Sequence, residues 1–458
     1  MGLLTVLSAL SLLGEAAYAA EFNIGRHISV APYPKEDTML PLAEFSVPFT
    51  AKAPRRSSKT SALAALRGKP ANTTRSKAFG AGDASTVAVD GGNFDNEYLT
   101  NVTIGGQHFS LIIDTGSSDT WVAQKGFNCF DLDGNPVSPD NCAFGTDGFD
   151  TAVSKTFRLF PNVSFNITYG DGEFLSGPVG FDTVTIGGLS IAHQEIGVPT
   201  LAAWRGDGIN TGFVGLAFPV ETSVYNTTDP TKASNENQLP YSPLFFSAFF
   251  SLAFDRASFH QEVNDPFDPN LGFLSFGGIA PVPVVNRAVT VPIQGYSATK
   301  GIPSNGPGSE FFFYTVDVEA YTFPGSNRVF TANNNTVLDS GTTLNLLPAD
   351  VAAAYNAQFY PEAVLDPDFG VYIVDCNARV PDFSVVIGGK TFSIDARDQI
   401  LPASTDDEGN IICMTGTQDG GPDVADGIFV LGDVFLHNVV ATFNPVAGEV
   451  TLTQRAKY

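Results

Sequence analysis

The chain has 458 residues, 43% of them apolar, and a formal net charge of −24; that length suffices for two domains with substantial cores. The charge is uneven: the first 80 residues carry ten Lys/Arg against five Asp/Glu, leaving 14 basic and 43 acidic residues for the rest. Such an acidic body is a poor partner for nucleic acid or an anionic membrane, and its self-repulsion is least at low pH.

Met1 to Ala20 has a short apolar stretch followed by small residues of the Ala-x-Ala kind and reads as a secretory signal peptide, although it lacks a basic n-region and contains Glu15. No later stretch is apolar over a membrane-spanning length, and the polar end Gln454-Arg455-Ala456-Lys457-Tyr458 is no anchor, so none is expected. Residues 21–85 are basic and rich in Ser, Ala and Pro, with the dibasic pair Arg55-Arg56. At Asp90-Gly91-Gly92 the composition shifts to acidic, aromatic and β-branched.

From Tyr98 onward short β-branched and aromatic runs are broken by Gly, Asn, Asp and Pro. Runs ending at Gly105-Gly106, Gly187-Gly188 and Gly388-Gly389 read as strands entering hairpin turns. The strongest feature is Leu111-Ile112-Ile113-Asp114-Thr115-Gly116-Ser117, an apolar run that delivers a carboxylate into a Gly-containing turn. An ionised carboxylate in apolar surroundings must be paired or hydrogen-bonded. The pattern returns 225 residues later as Val337-Leu338-Asp339-Ser340-Gly341-Thr342. Each copy is followed by an apolar-apolar-Gly segment, Gly212-Phe213-Val214-Gly215 and then Phe429-Val430-Leu431-Gly432. A repeat of this length implies two similar lobes related by a rough two-fold axis, with the two acids facing each other.

Between the acids, Asn166-Ile167-Thr168-Tyr169-Gly170-Asp171-Gly172 reads as a hairpin. Helical signals are confined to Ser242–Leu252 and Pro348–Phe359, and Pro residues cluster between Pro281 and Val291, where the lobe boundary is expected. The organisation expected is signal peptide 1–20, leader 21–85, first lobe 86–285 and second lobe 286–458. Four cysteines, Cys129, Cys142, Cys376 and Cys413, allow three pairings. The five His are scattered and no Cys/His cluster has metal-ligand spacing, so neither metal nor other cofactor is expected. Sequons occur at Asn72, Asn101, Asn162, Asn166, Asn226 and Asn334; Asn101 and Asn166 fall in expected strands, and Asn226, in a polar loop, is the best glycosylation candidate.

From Asp95 to Gln454 the chain resembles the pepsin-like aspartic endopeptidases, whose lobes each contribute one Asp-Thr/Ser-Gly turn and one apolar-apolar-Gly loop. The resemblance implies an all-β, bilobal fold with minor helices and acid hydrolysis of polypeptides by a monomer. Two carboxylates sharing a proton supply both a base for water and an acid for the departing group. Asp114 and Asp339 are that pair. Ser117 and Thr342 can donate to the outer carboxylate oxygens, Gly116 and Gly341 let backbone approach closely, and Thr115 and Ser340 resemble the family's cross-lobe hydroxyl lock. Tyr169, Gly170 and Asp171 match the flap, and Trp121 the tryptophan behind its tyrosine. Ile112 and Phe213 match the pocket before the cut, Phe311 and Val337 the one after. Asp171, with Glu173 nearby, implies acceptance of Lys before the cut. One disulfide per lobe, Cys129–Cys142 and Cys376–Cys413, matches the family's pattern. Residues 21–85 stand where the family has an inhibitory propeptide, and the setting implied is extracellular, with an acidic vacuole as the alternative. A catalytically silent relative and a two-carboxylate glycosidase are the rival readings; intact Asp motifs oppose the first, and the paired turns with only two Trp oppose the second.

Overall fold

The computed structural model describes residues 45–52 and 97–458, except 170–171, 188, 207, 240–248, 257–266, 298–308, 327–334, 367–369, 406–409 and 422–428. The expected signal peptide, most of the expected propeptide, Asn72, Asn334, Gly170 and Asp171 lie outside the described residues.

Strands make up most of the structure, and the longest helix among the described residues is Ala349–Asn356, inside the expected helical stretch. Six antiparallel strands drawn from both halves of the chain form a shared sheet. Their order is Phe45–Lys52, Phe267–Phe276, Phe250–Phe254, Val439–Asn444, Glu449–Arg455 and Val284–Pro292. Phe45–Lys52, from the basic leader, also meets strand Tyr98–Ile104 at Thr50 and Ala51. Val284–Pro292 occupies the Pro-rich stretch between the halves.

The helix read over Ser242–Leu252 is corrected at its C-terminal end, where Phe250–Phe254 is a strand paired on both sides and buried throughout. A strand covered on both faces has a continuous apolar run, which periodicity alone cannot separate from a buried helix.

Continuous with the shared sheet through the pairing at Thr50 and Ala51, the first half adds the hairpin Tyr98–Ile104/Gln107–Asp114 and strands Arg158–Thr168, Phe174–Ile186 and Leu189–Gly197. Gly105-Gly106 turns the first hairpin at positive φ, 55° and 81°, a conformation that glycine adopts without steric cost. The second half has a seven-stranded sheet containing Asn335–Leu338 and Phe429–Leu431, and an outer four-stranded sheet. Disulfides join Cys129 to Cys142 and Cys376 to Cys413, one in each half.

Candidate active site

Each Asp motif ends a strand that pairs in parallel with its downstream apolar-Gly segment. Gln107–Asp114 lies beside Gly212–Gly215, with Gly215 opposite Asp114; Asn335–Leu338 lies beside Phe429–Leu431. Central parallel strands are covered on both faces, hence the unbroken runs Leu111-Ile112-Ile113 and Val337-Leu338, all buried. The turns then fold back over the glycines. A Cβ on Gly215 would stand 2.3 Å from the Ser118 carbonyl carbon, and one on Gly432 2.1 Å from the Thr342 oxygen.

These turns bring the two acids together. The carboxyls of Asp114 and Asp339 face each other across the two turns, each packed against the glycine of the opposite turn and close enough for the charge of Asp339 to act on Asp114. Each is clamped in the same way from its own turn. Asp114 accepts the Gly116 N–H at 2.7 Å and the Ser117 hydroxyl, and Asp339 accepts the Gly341 N–H at 2.8 Å and the Thr342 hydroxyl at 2.7 Å. Behind them Thr115 and Ser340 interlock. The Thr115 N–H donates to Ser340 Oγ at 3.1 Å and the Ser340 N–H to Thr115 Oγ1 at 3.0 Å. Their hydroxyls donate to the carbonyls of Leu338 at 2.9 Å and Ile113 at 2.8 Å.

Both acids are buried, 5% and 9% exposed. Burial, and then the charge of Asp339, pushes Asp114 up to about 7 against the pull of its hydrogen bonds from Ser117 and Gly116. Burial also raises Asp339. Like charges this close cannot both ionise, so the proton belongs to the pair, which offers one acid and one base at a single point.

Beside Asp114 the hairpin Arg158–Thr168/Phe174–Ile186 ends at Tyr169, whose N–H donates to the Glu173 carbonyl at 2.8 Å. Trp121 donates its indole N–H to the Tyr169 hydroxyl at 2.8 Å. Phe213 lies 5.3 Å from the Trp121 ring and 5.5 Å from Tyr169, and Ile112 pairs with Phe213 in the strand register. These four predicted residues share one cluster. Phe311 packs elsewhere, 5.3 Å from Phe218, and Val337 is 2% exposed inside its sheet. Glu173 does not stand free beside the pocket: it is 1% exposed and its carboxylate accepts the Arg205 N–H at 2.6 Å. Asn162 and Asn226 are exposed, and so is Asn101 although it lies in a strand; the Asn166 amide donates to the Pro230 carbonyl at 3.0 Å.

Two residues of the site escaped the sequence reading. Asp433 directly follows the Phe429-Val430-Leu431-Gly432 motif and its N–H donates to the Thr342 carbonyl at 2.9 Å. Burial, then the charges of Asp339 and Asp114, raises it well above the usual carboxylate range. Its position immediately after Gly432 was the available signal. Trp204 joins the cluster around Tyr169, 5.5 Å from Trp121 and 5.8 Å from Tyr169. Being one of only two Trp in the chain was its signal.

An all-β bilobal fold with one clamped carboxyl from each half at a pseudo-two-fold axis defines the pepsin-like class. The family model described as eukaryotic aspartyl protease matches residues 97–455. A probable aspartic-type endopeptidase of Aspergillus fumigatus is 37% identical over 369 residues, covering 78% of this chain and 79% of that protein. Endothiapepsin of Cryphonectria parasitica is 29% identical over 369 residues, 79% of this chain and 75% of that one. The aspartic proteinase structure from Irpex lacteus shares the fold, with a TM-score of 0.56 at 20% identity over 90% of this chain and 97% of that one. The chain belongs to the eukaryotic aspartyl protease family and is an aspartic-type endopeptidase.

Proposed function

We propose that Asp114 and Asp339 hydrolyse peptide bonds at acid pH by activating a water between them. In the working state the ionised partner accepts a proton from the water while the protonated partner donates its own to the scissile carbonyl. When the tetrahedral species collapses, the proton taken from the water passes to the departing nitrogen and the carbonyl-derived hydroxyl returns a proton to the pair. The observation that carries this reading is the facing pair of buried carboxyls, each packed against the glycine of the opposite turn and held by its own N–H and hydroxyl clamp. The clamps fix the carboxyls before substrate arrives, so little reorganisation accompanies the reaction. Tyr169, braced by Trp121, closes over an extended substrate bound through its backbone and excludes bulk water. Ile112 and Phe213 favour an apolar or aromatic residue before the cut, with Phe311 and Val337 assigned to the other side; Asp171 pairs with Lys in the first position. Mapping cleavage sites in a peptide library at acid pH tests these assignments together. Apolar and Lys residues before the cut are expected, and loss of the Lys class alone in Asp171→Ser; an unchanged Lys class in that variant removes the Asp171 role.

The same reading makes the chain a secreted zymogen. The signal-type N-terminus, the basic leader and the acidic body support it, because a basic segment covers an acidic cleft until acid protonates the carboxylates. The full-length protein then gains activity and loses residues before about Asp95 on acidification. An unprocessed chain with full activity contradicts inhibition by the leader.

A further inference from the structure

Two tyrosines, Tyr98 and Tyr314, occupy corresponding places in the two halves. Leu99 pairs with Ile112 and Thr315 with Val337, in each case the residue two before an acid, and Tyr98 and Tyr314 immediately precede those partners. Both side chains are buried, but their hydroxyls go to different places. Tyr98 donates to the Asp255 carbonyl at 2.7 Å and meets the His437 ring at 2.5 Å. Tyr314 donates to the Leu216 carbonyl at 2.7 Å, and Leu216 directly follows Gly215, the residue opposite Asp114. Only one of the two tyrosines therefore reaches a segment that covers an acid.

That bond closes a circuit of hydrogen bonds through both halves. The Leu216 N–H donates to the Asp114 carbonyl at 2.8 Å, and the Leu216 carbonyl accepts the Tyr314 hydroxyl. The Tyr314 carbonyl accepts the Leu338 N–H at 3.1 Å, and the Leu338 carbonyl accepts the Thr115 hydroxyl at 2.9 Å. Thr115 follows Asp114 and Leu338 precedes Asp339, so the circuit joins the backbones that carry the two acids. The Tyr314 ring packs against Phe443 at 4.6 Å, Phe218 at 5.0 Å and Phe250 at 5.9 Å, which fixes where its hydroxyl points. Burial raises that hydroxyl well above its ordinary value, so it remains a donor throughout the acid and neutral range.

We propose that Tyr314 is a positioning residue for the dyad: its hydroxyl holds the segment covering Asp114 to the second half and thereby fixes the approach of the two carboxyls. The Thr115–Ser340 interlock joins the turns near their pseudo-two-fold axis, where a small rotation of one half against the other strains it least. The Tyr314 bond ties the halves at a second place and resists that rotation. A small displacement of reacting groups lowers the rate of the chemical step more than it weakens substrate binding. The role rests on the reading of Asp114 and Asp339 as the reacting pair.

Tyr314→Phe keeps the ring and removes only the hydroxyl. Made as the full chain and assayed at acid pH below its unfolding temperature, it should lose about tenfold in kcat with KM within about twofold of the parent. Tyr98→Phe makes the same chemical change at the corresponding place and should leave kcat within about twofold of the parent. A Tyr314→Phe enzyme with parental kcat overturns the proposal even if its thermal midpoint falls, because the bond then supplies stability alone. An equal fall in kcat for the two variants overturns it as well, since any buried tyrosine hydroxyl would then serve. Asp114→Asn, assayed alongside, tells the two readings apart. If it is active, the dyad reading fails and the positioning role falls with it; if it is inactive beside a fully active Tyr314→Phe, the positioning role alone is lost. Should Tyr314→Phe fail to fold, hydrogen exchange of the unmodified protein decides. The Leu216 and Leu338 amides, joined through Tyr314, should open together, with protection within about tenfold of each other. A larger difference would place them in separate units and contradict the circuit.

Discussion

The α-carbon of Gly116 faces the carboxyl of Asp339 across the pseudo-two-fold axis so closely that a methyl group there would stand 2.6 Å from Oδ1. Gly341 faces Asp114 in the same way, at 2.5 Å. Each glycine therefore makes room for the acid of the opposite half. Gly116→Ala should lower kcat about a hundredfold by misplacing the partner carboxyl, with near-ultraviolet circular dichroism close to that of the parent. Full activity in this variant would show that the carboxyls need not approach so closely.

Thr115 holds the halves together through bonds that have no solvent to replace them. Its hydroxyl accepts from Ser340 N–H and donates to the Leu338 carbonyl, and it is fully buried. Thr115→Val keeps the shape and strands both backbone groups, so thermal or urea unfolding should report a loss of about 2–4 kcal/mol. A change within about 0.5 kcal/mol, the range of ordinary surface substitutions, would mean that the interlock contributes nothing.

The pair should set the alkaline limit of activity. With Asp114 pushed up to about 7, the shared proton is kept through the acid range and lost above it. The profile of kcat/KM against pH should fall tenfold per unit above about 7, as expected for loss of one essential proton. A limb near pH 4 would show that the carboxyls titrate independently.

Burial, then the charges of Asp339 and Asp114, raises Asp433 well above the usual carboxylate range and so favours its protonated form. An amide of the same shape then changes little, and Asp433→Asn should keep the parental pH profile. Displacement of the alkaline limb by a full unit would show that Asp433 is ionised in the working enzyme.

Away from the cleft, Asp398 sits in a buried network that joins the shared sheet to the chain's end. Arg256 binds it at 2.6 and 2.7 Å, Asn438 at 2.7 Å and the His437 ring at 3.1 Å. Burial alone would raise its carboxyl; the charge of His437 and then its hydrogen bonds from His437 and Arg256 hold it below the usual range. Arg256→Met leaves this charge inside with less compensation and should cost about 3–5 kcal/mol of stability, typical of a broken buried ion pair. Unfolding measurements that find no loss would place the stabilisation elsewhere.

What the sequence made legible depended on whether a residue's role has a local pattern. Two Asp-Thr/Ser-Gly turns and their downstream glycines were readable because strand, turn and covering segment each need particular residue types at a fixed spacing. The end of the Ser242–Leu252 stretch, where the strand Phe250–Phe254 begins, was misread as helix because a strand buried on both faces leaves no alternation to detect. Asp433 and Trp204 had only weak signals, a place after Gly432 and the rarity of Trp; the folding-back of the Phe429–Leu431 segment and the strand Leu201–Ala203 brings them to the site. The environment of Glu173 was equally invisible, since its partner Arg205 lies 32 residues away.

The central claim is that one carboxyl from each half is indispensable and that neither works alone. Single-turnover hydrolysis of a denatured protein at acid pH by Asp114→Asn and by Asp339→Asn tests it most directly. Each variant should fold and bind substrate while losing at least about a thousandfold in rate, the scale of a lost acid or base. If either variant retained parental turnover, two acids acting as one unit could not be the source of the activity.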